Sequence, residues 1–184
     1  MSIDTIPAGL TTGTWNLDPA HSVVSFTVRH AGISKARGTF ADVAATAVVG
    51  ESLSGSSVQA TIQAASVETG NPDRNAHVRS ADFFDVEQFP ELTFVSTGLV
   101  GQGETYDLAG DLTIHGITHP VTFEVEFEGV AVDPFGNTKA GFSAEATISR
   151  KDFGLTWNAA LEAGGVLVSD KVVISIDAQF TPAQ

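Results

Sequence analysis

The chain has no cysteine. That excludes disulfides, thiolate nucleophiles and thiolate metal sites. Basic residues are scarce: 9 Lys and Arg stand against 22 Asp and Glu in 184 residues, a formal net charge of −13. Such a surface repels phosphate backbones, so nucleic acid is not an expected partner. No Lys or Arg precedes Arg29, and no apolar core follows Met1. The opening residues therefore do not read as a secretory signal, and the expected location is the cytoplasm. No apolar run approaches the roughly 18 residues that a spanning helix needs, so no integral membrane segment is expected. Long helical periodicity is missing as well. So are the nucleophile elbow, the paired-histidine zinc motif, the phosphate loop and the dinucleotide fingerprint. The expectation is a protein that is not an enzyme and takes no cofactor and no metal.

What remains is a β pattern. Asp18-Pro19 opens a stretch in which Val24, Phe26 and Val28 alternate with Ser25, Thr27 and Arg29. A period of two means a strand with one buried face. The same alternation recurs at 58–64, 106–114, 121–128, 142–149 and 172–180, with less regular strands at 38–49 and 91–100. Short Gly-bearing connections at Gly101-Gln102-Gly103, His115-Gly116 and Pro134-Phe135-Gly136-Asn137 favour hairpins. About eight one-sided strands in sequential hairpins predict an all-β, antiparallel, up-and-down meander. Closing it into a barrel removes its exposed edges. A sandwich is the competing arrangement. Residues 1–13 read as a flexible leader, and 14–182 as one domain.

One segment breaks the pattern. Asn71 can cap a short helix, Pro72 fits its first turn and Asp73 suits its positive end. Ala81–Pro90 reads as a further helical turn, with Phe83, Phe84 and Phe89 folded over one end of the barrel as a lid or as plain end-packing.

The strands are long, and their inward list is rich in small residues: Ala60, Ala64, Ala144, Ala146 and Ala178. Eight strands enclose a space that large side chains just fill and small ones leave open for one ligand. The alternation places Phe26, Val28, Phe40, Ile62, Phe94, Leu112, Phe123, Phe142, Ala144, Ile148, Trp157 and Ile174 on the wall of an apolar tunnel. His30 falls on the same face, either to hold a polar head group or as a core histidine. Arg74, His77 and Arg79 lie on the lid helix, to meet a head group or to pair with Asp82 and Asp85. Phe83 belongs with them at the mouth. His21 reads as a brace for the Asp18 turn. His115 and His119 would suit a metal on a helix, but Gly116 and Pro120 make a turn there. Arg150, Asp152 and Phe153 read as a structural ion-pair motif. Outward Val173 leaves monomer and homodimer both open.

Several separated motifs resemble the YceI-like family of lipocalin-like, polyisoprenoid-binding bacterial proteins. They are Trp15-x-Leu17-Asp18-x-x-His21-Ser22-x-Val24-x-Phe26-x-Val28-x-His30 with Gly38-x-Phe40; Arg74-Asn75-x-His77-Val78-Arg79-Ser80-x-Asp82-Phe83-Phe84-Asp85 with Phe89-Pro90 and Phe94-x-Ser96; Gly110-x-Leu112-Thr113-Ile114-His115-Gly116-Ile117-Thr118-x-Pro120-Val121; and Arg150-Lys151-Asp152-Phe153-Gly154-Leu155. The resemblance covers about Thr14 to Pro182. It implies an elongated, eight-stranded lipocalin-like β-barrel with one or two short helices capping an end. It also implies a long-chain amphiphile inside: an isoprenoid quinone, a polyprenyl phosphate or a fatty amide. Some relatives are thought to sequester hydrophobic antibiotics, and many are exported.

Overall fold

The computed structural model describes residues 4–162 and 164–184. Its strands are β1 (Gly13–Leu17), β2 (Val23–His30), β3 (Ser34–Phe40), β4 (Val43–Val49), β5 (Ser57–Gln63), β6 (Val67–Glu68), β7 (Glu91–Gln102), β8 (Thr105–Ile114), β9 (Ile117–Val132), β10 (Thr138–Ser149) and β11 (Val168–Pro182). One α-helix, α1 (Pro72–Arg79), lies between β6 and β7.

These segments form the eight staves of a closed antiparallel barrel, because three staves are interrupted. The first is β1 plus β2, broken by a single 3-10 turn at Pro19–His21. The second is β3 plus β4, and the third β5 plus β6. The last two breaks face each other: Gln63 N–H donates to Asp42 O at 3.0 Å and Ala41 N–H to Ser66 O at 3.2 Å. The expected strand at 38–49 is therefore a stave bent at Ala41–Asp42. Closure comes from β1 on β11, with Leu17 opposite Phe180 and Trp15 opposite Pro182. The remaining neighbours follow chain order, as a meander should.

The hairpins sit where the sequence places them. Ile114 pairs with Ile117 across His115 (φ 55) and Gly116 (φ 73). Two successive positive φ angles match the right-handed twist of the flanking strands, and glycine supplies the second without strain. Alternation also holds: Phe123, Val125 and Phe127 are buried while Glu124, Glu126 and Glu128 are exposed. Each buried Phe or Val removes enough apolar surface to contribute about 1.5–3 kcal/mol. Along the interior the rings step from Phe26 to Phe40 at 5.6 Å and from Phe40 to Phe84 at 5.8 Å.

The helix forms as the sequence indicates. Asn71 Oδ1 accepts from Asp73 N–H and Arg74 N–H, both at 3.0 Å, and Pro72 occupies the first turn. Val78 packs against the core, and the rest of the helix's attachment is polar. Asn75, 5% exposed, accepts from Thr69 N–H at 2.7 Å and donates to Glu68 at 3.0 Å. Arg79 donates to Ala65 O at 2.9 Å and to Val67 O at 3.3 Å.

One expectation changes. Ala81–Pro90 is a run of turns, not a second helical turn. Asp85 takes φ 51 there, and Phe83 N–H and Phe89 N–H reach back to Ser80 O and Asp85 O. The described part of the expected leader over 1–13 makes contacts with the barrel (residues 1–3 lie outside the described residues). Leu53 N–H donates to Asp4 O at 3.2 Å, Ser54 N–H to Asp4 Oδ1 at 2.7 Å, and Ile6 and Leu10 pack against the core. Apolar Ile6 and Leu10 find buried area in the barrel, which offsets the entropy of ordering this segment.

Candidate functional site

The barrel encloses a long cavity of about 480 Å³. At one end Ile6, Pro7, Leu10 and Leu53 form its floor. At the other end stand α1, the turns of 81–90 and the hairpin tip between β2 and β3. Aliphatic and aromatic side chains from the inner faces of the strands make its wall. Ala60, Ala144 and Ala178 provide the open width that larger residues would remove, whereas Ala64 and Ala146 are buried in the packing and do not border it.

Most of the residues assigned from alternation reach this cavity. Phe26, Val28, Phe40, Ile62, Phe94, Leu112, Phe123, Phe142, Ala144, Ile148 and Ile174 all line it, as do His30, Arg74, His77 and Phe83 at its mouth. Trp157 does not. Its indole sits outside the lining, edge-on to His77 at 4.6 Å and tilted against Phe83 at 5.3 Å. It comes from the irregular segment after Gly154, where a period-two rule has no force. His30 also differs from expectation. It ends β2 and is exposed, so it borders the mouth rather than the interior.

The lid residues are only partly committed to one another. His77 Nε2 lies 2.9 Å from Asp82. Arg74 donates to Thr69 O at 2.6 Å and does not pair with Asp82 or Asp85. Asp85 instead accepts from Gln88 at 2.8 Å. Phe84 lines the mouth beside Phe83, but Phe89 packs outside it against His115, at 4.8 Å.

Arg150 corrects the ion-pair expectation. It is 3% exposed, and its partners are carbonyls: Leu155 O at 2.6 Å, Ser169 O at 2.8 Å, Trp157 O at 2.9 Å and Val168 O at 3.2 Å. Burial pushes its pKa down, opposed by the charge of Asp170. Asp152 faces His119 at 3.8 Å instead. The guanidinium thus ties the segment after β10 to the start of β11, which no local pattern in the sequence reveals. His115 lies on the β8–β9 turn, and its Nδ1 is buried without a hydrogen-bond partner.

At the opposite end His21 Nδ1 meets Asp18 at 2.8 Å, as the brace reading requires. The sequence does not show that Lys139, from β10, reaches the same carboxylate at 2.6 Å. Hydrogen bonds from Lys139 and His21 hold the Asp18 carboxyl down at about 2.

The chemistry of the cavity is one-sided. Among the described residues no Asp or Glu lines it, and its cationic and imidazole groups gather at the mouth: Arg29, His30, Arg37, Arg74 and His77, with Ser56, Ser57, Thr93 and Tyr106 as hydroxyl-bearing liners elsewhere. Arg150 borders it with its donors already engaged. A closed apolar tube with a cationic rim can take an apolar chain and leave a polar end outside. Among the described residues no carboxylate pair or nucleophile–base pair lines the interior.

The YceI-like domain family matches residues 15–180. A protein YceI from Salmonella arizonae is 42% identical over 137 residues, covering 74% of this chain and 72% of that protein. Among solved structures, BcnA of Burkholderia cenocepacia is 26% identical with a TM-score of 0.77, covering 89% of this chain and 98% of its own. A polyisoprenoid binding domain from Saccharophagus degradans shares the fold at 13% identity and a TM-score of 0.66, with 92% of this chain and 98% of that one covered.

Proposed function

The chain belongs to the YceI-like family, and from that premise we propose that it is a non-enzymatic carrier of a long-chain amphiphile. One observation carries the reading. The cavity runs from the Ile6–Leu10 floor to the cationic mouth with a wall mostly of aliphatic and aromatic side chains and, among the described residues, no acidic one. A long hydrocarbon gains about 0.8 kcal/mol for each methylene it buries there. The neighbour that resembles this fold as a polyisoprenoid binding domain supports a prenyl chain as one class of occupant. An isoprenoid quinone, a polyprenyl phosphate and a fatty amide all fit that description. Each contributes a narrow flexible tail and a polar end.

The wall residues Phe26, Phe94, Phe123 and Phe142 contact the tail in this reading. His30, Arg74, His77 and Phe83 contact the polar end. Storage and transport are the corresponding roles. The experiment is organic extraction of protein purified from its own host, followed by mass spectrometry. A single-chain amphiphile in near-stoichiometric amount is the expected result. No extractable amphiphile, together with tryptophan fluorescence that long-chain analogues leave unchanged, would refute the proposal.

A further inference from the structure

The barrel wall has a seam at the α1 end. β3 pairs with β2 from Ser34 to Phe40, but on its other edge it meets β6 only at Thr39 and Phe40. Among the described residues no strand lies beside that edge from Ser34 to Gly38. Thr69 and Arg74 stand across from it. Between them is a hollow of about 260 Å³ bordered by His30, Ser34, Lys35, Arg37, Thr69 and Arg74. His30, Arg37, Thr69 and Arg74 border the main cavity as well, so the hollow and the channel adjoin through the seam.

The charge at this place runs against the rest of the molecule. Lys35, Arg37 and Arg74 are three of nine basic residues in the chain, and none of the 22 acidic residues borders the hollow. Arg29 lies directly opposite Lys35 on the β2–β3 hairpin. Like charges in that position destabilise a strand pair. Among the described residues no carboxylate comes within 4.0 Å of Arg29, Lys35 or Arg37. Glu68, on the strand that meets β3, is engaged by Asn75 and Gly70 N–H, Asp82 by His77, and Asp170 by Ser149 and Lys151 N–H. Arg74 spends one donor on Thr69 O and keeps the remainder of its guanidinium fork.

We infer that this hollow seats an anionic head group of the phosphate type, whose chain passes through the seam into the channel. The inference rests on the amphiphile reading above and selects among its ligands. A phosphate accepts charge-assisted hydrogen bonds from several cations and hydroxyls at once, and it neutralises the Arg29–Lys35 repulsion. A quinone or amide head leaves that repulsion in place.

The test titrates the delipidated full chain with farnesyl phosphate, with farnesol and with inorganic phosphate. The comparison variant is Lys35→Gln/Arg37→Gln, which removes two charges and breaks no side-chain hydrogen bond. Farnesyl phosphate is expected to bind about tenfold tighter than farnesol, which corresponds to about 1.4 kcal/mol. That ratio falls toward one in the double variant, and in high salt, which screens the exposed cations. Equal affinity for the two prenyl compounds overturns the inference, as does a ratio that the variant leaves unchanged. Inorganic phosphate binding as tightly as farnesyl phosphate also overturns it, because the tail then plays no part. If neither prenyl compound binds, the channel reading fails and this inference falls with it.

Discussion

Replacing Ala144 by Phe should obstruct the channel at mid-length. Ala144 projects inward from β10, between Val125 on β9 and Ile176 on β11, and it lines the cavity. The substitution adds roughly six carbon atoms to space that an apolar chain would occupy, so at about 0.8 kcal/mol per buried methylene the ceiling on lost affinity is about 5 kcal/mol. A tail that threads around the ring recovers part of this, leaving a loss of about 2–3 kcal/mol, or roughly 30- to 150-fold in Kd. The control is Thr147→Phe on the same strand. Thr147 has the opposite parity and is exposed, so its ring lies outside the barrel. Displacement of a fluorescent long-chain probe measures both Kd values, and thermal melts of the unliganded proteins show that each variant is folded. Ala144→Phe binding within about twofold of the parent, or Thr147→Phe weakening binding as much, would refute the assignment of the channel.

Two further outcomes concern stability. Arg150→Leu leaves the carbonyls of Leu155, Trp157, Val168 and Ser169 without the donor they share. Urea unfolding should show a loss of about 3 kcal/mol or more, and Arg150→Lys should not restore it, because a point charge cannot replace the fork. A loss below about 1 kcal/mol would contradict the role given to the guanidinium. Asp18 has its carboxyl held at about 2 against an ordinary 3.8, chiefly by the hydrogen bond from Lys139 and then that from His21. Its folded pKa is depressed, so its contribution is present above about pH 4 and is lost as pH falls toward about 2. In that window the parent should lose about 2 kcal/mol that Asp18→Asn never had. Parallel pH dependence of the two proteins by chemical denaturation would exclude it.

Much of this barrel was legible because alternation and burial coincide. Phe123, Val125 and Phe127 against Glu124, Glu126 and Glu128 leave no choice of face, since a shift by one residue would bury three carboxylates. Alternation also marked the wall of the cavity, down to the small residues Ala60 and Ala144 that keep it open. It failed where the backbone leaves the pleat. Trp157 follows a 3-10 turn and an αL glycine, and its side chain turns to the lid helix instead of the tunnel. Ala81–Pro90 follows a capped helix and reads as its continuation, but Asp85 adopts a left-handed conformation and interrupts it. Long-range polar contacts left no periodic trace: Lys139 on Asp18 spans 121 positions. Lys35 and Arg37 stand on an outward face of β3, and it is the lack, among the described residues, of a strand beside Ser34–Gly38 that makes them the border of a hollow.

The floor made by Ile6, Pro7, Leu10 and Leu53 sets the kinetics of any occupant. A tube with a bottom is emptied by backing out, and every buried methylene must be withdrawn past the same rim. Each one adds about 0.8 kcal/mol to the climb, or roughly fourfold in residence time. Dwell time in this barrel should therefore grow geometrically with tail length until the tail touches bottom, and then stop growing. The barrel would act as a timer whose maximum setting is fixed by where residues 6–10 fold back into it.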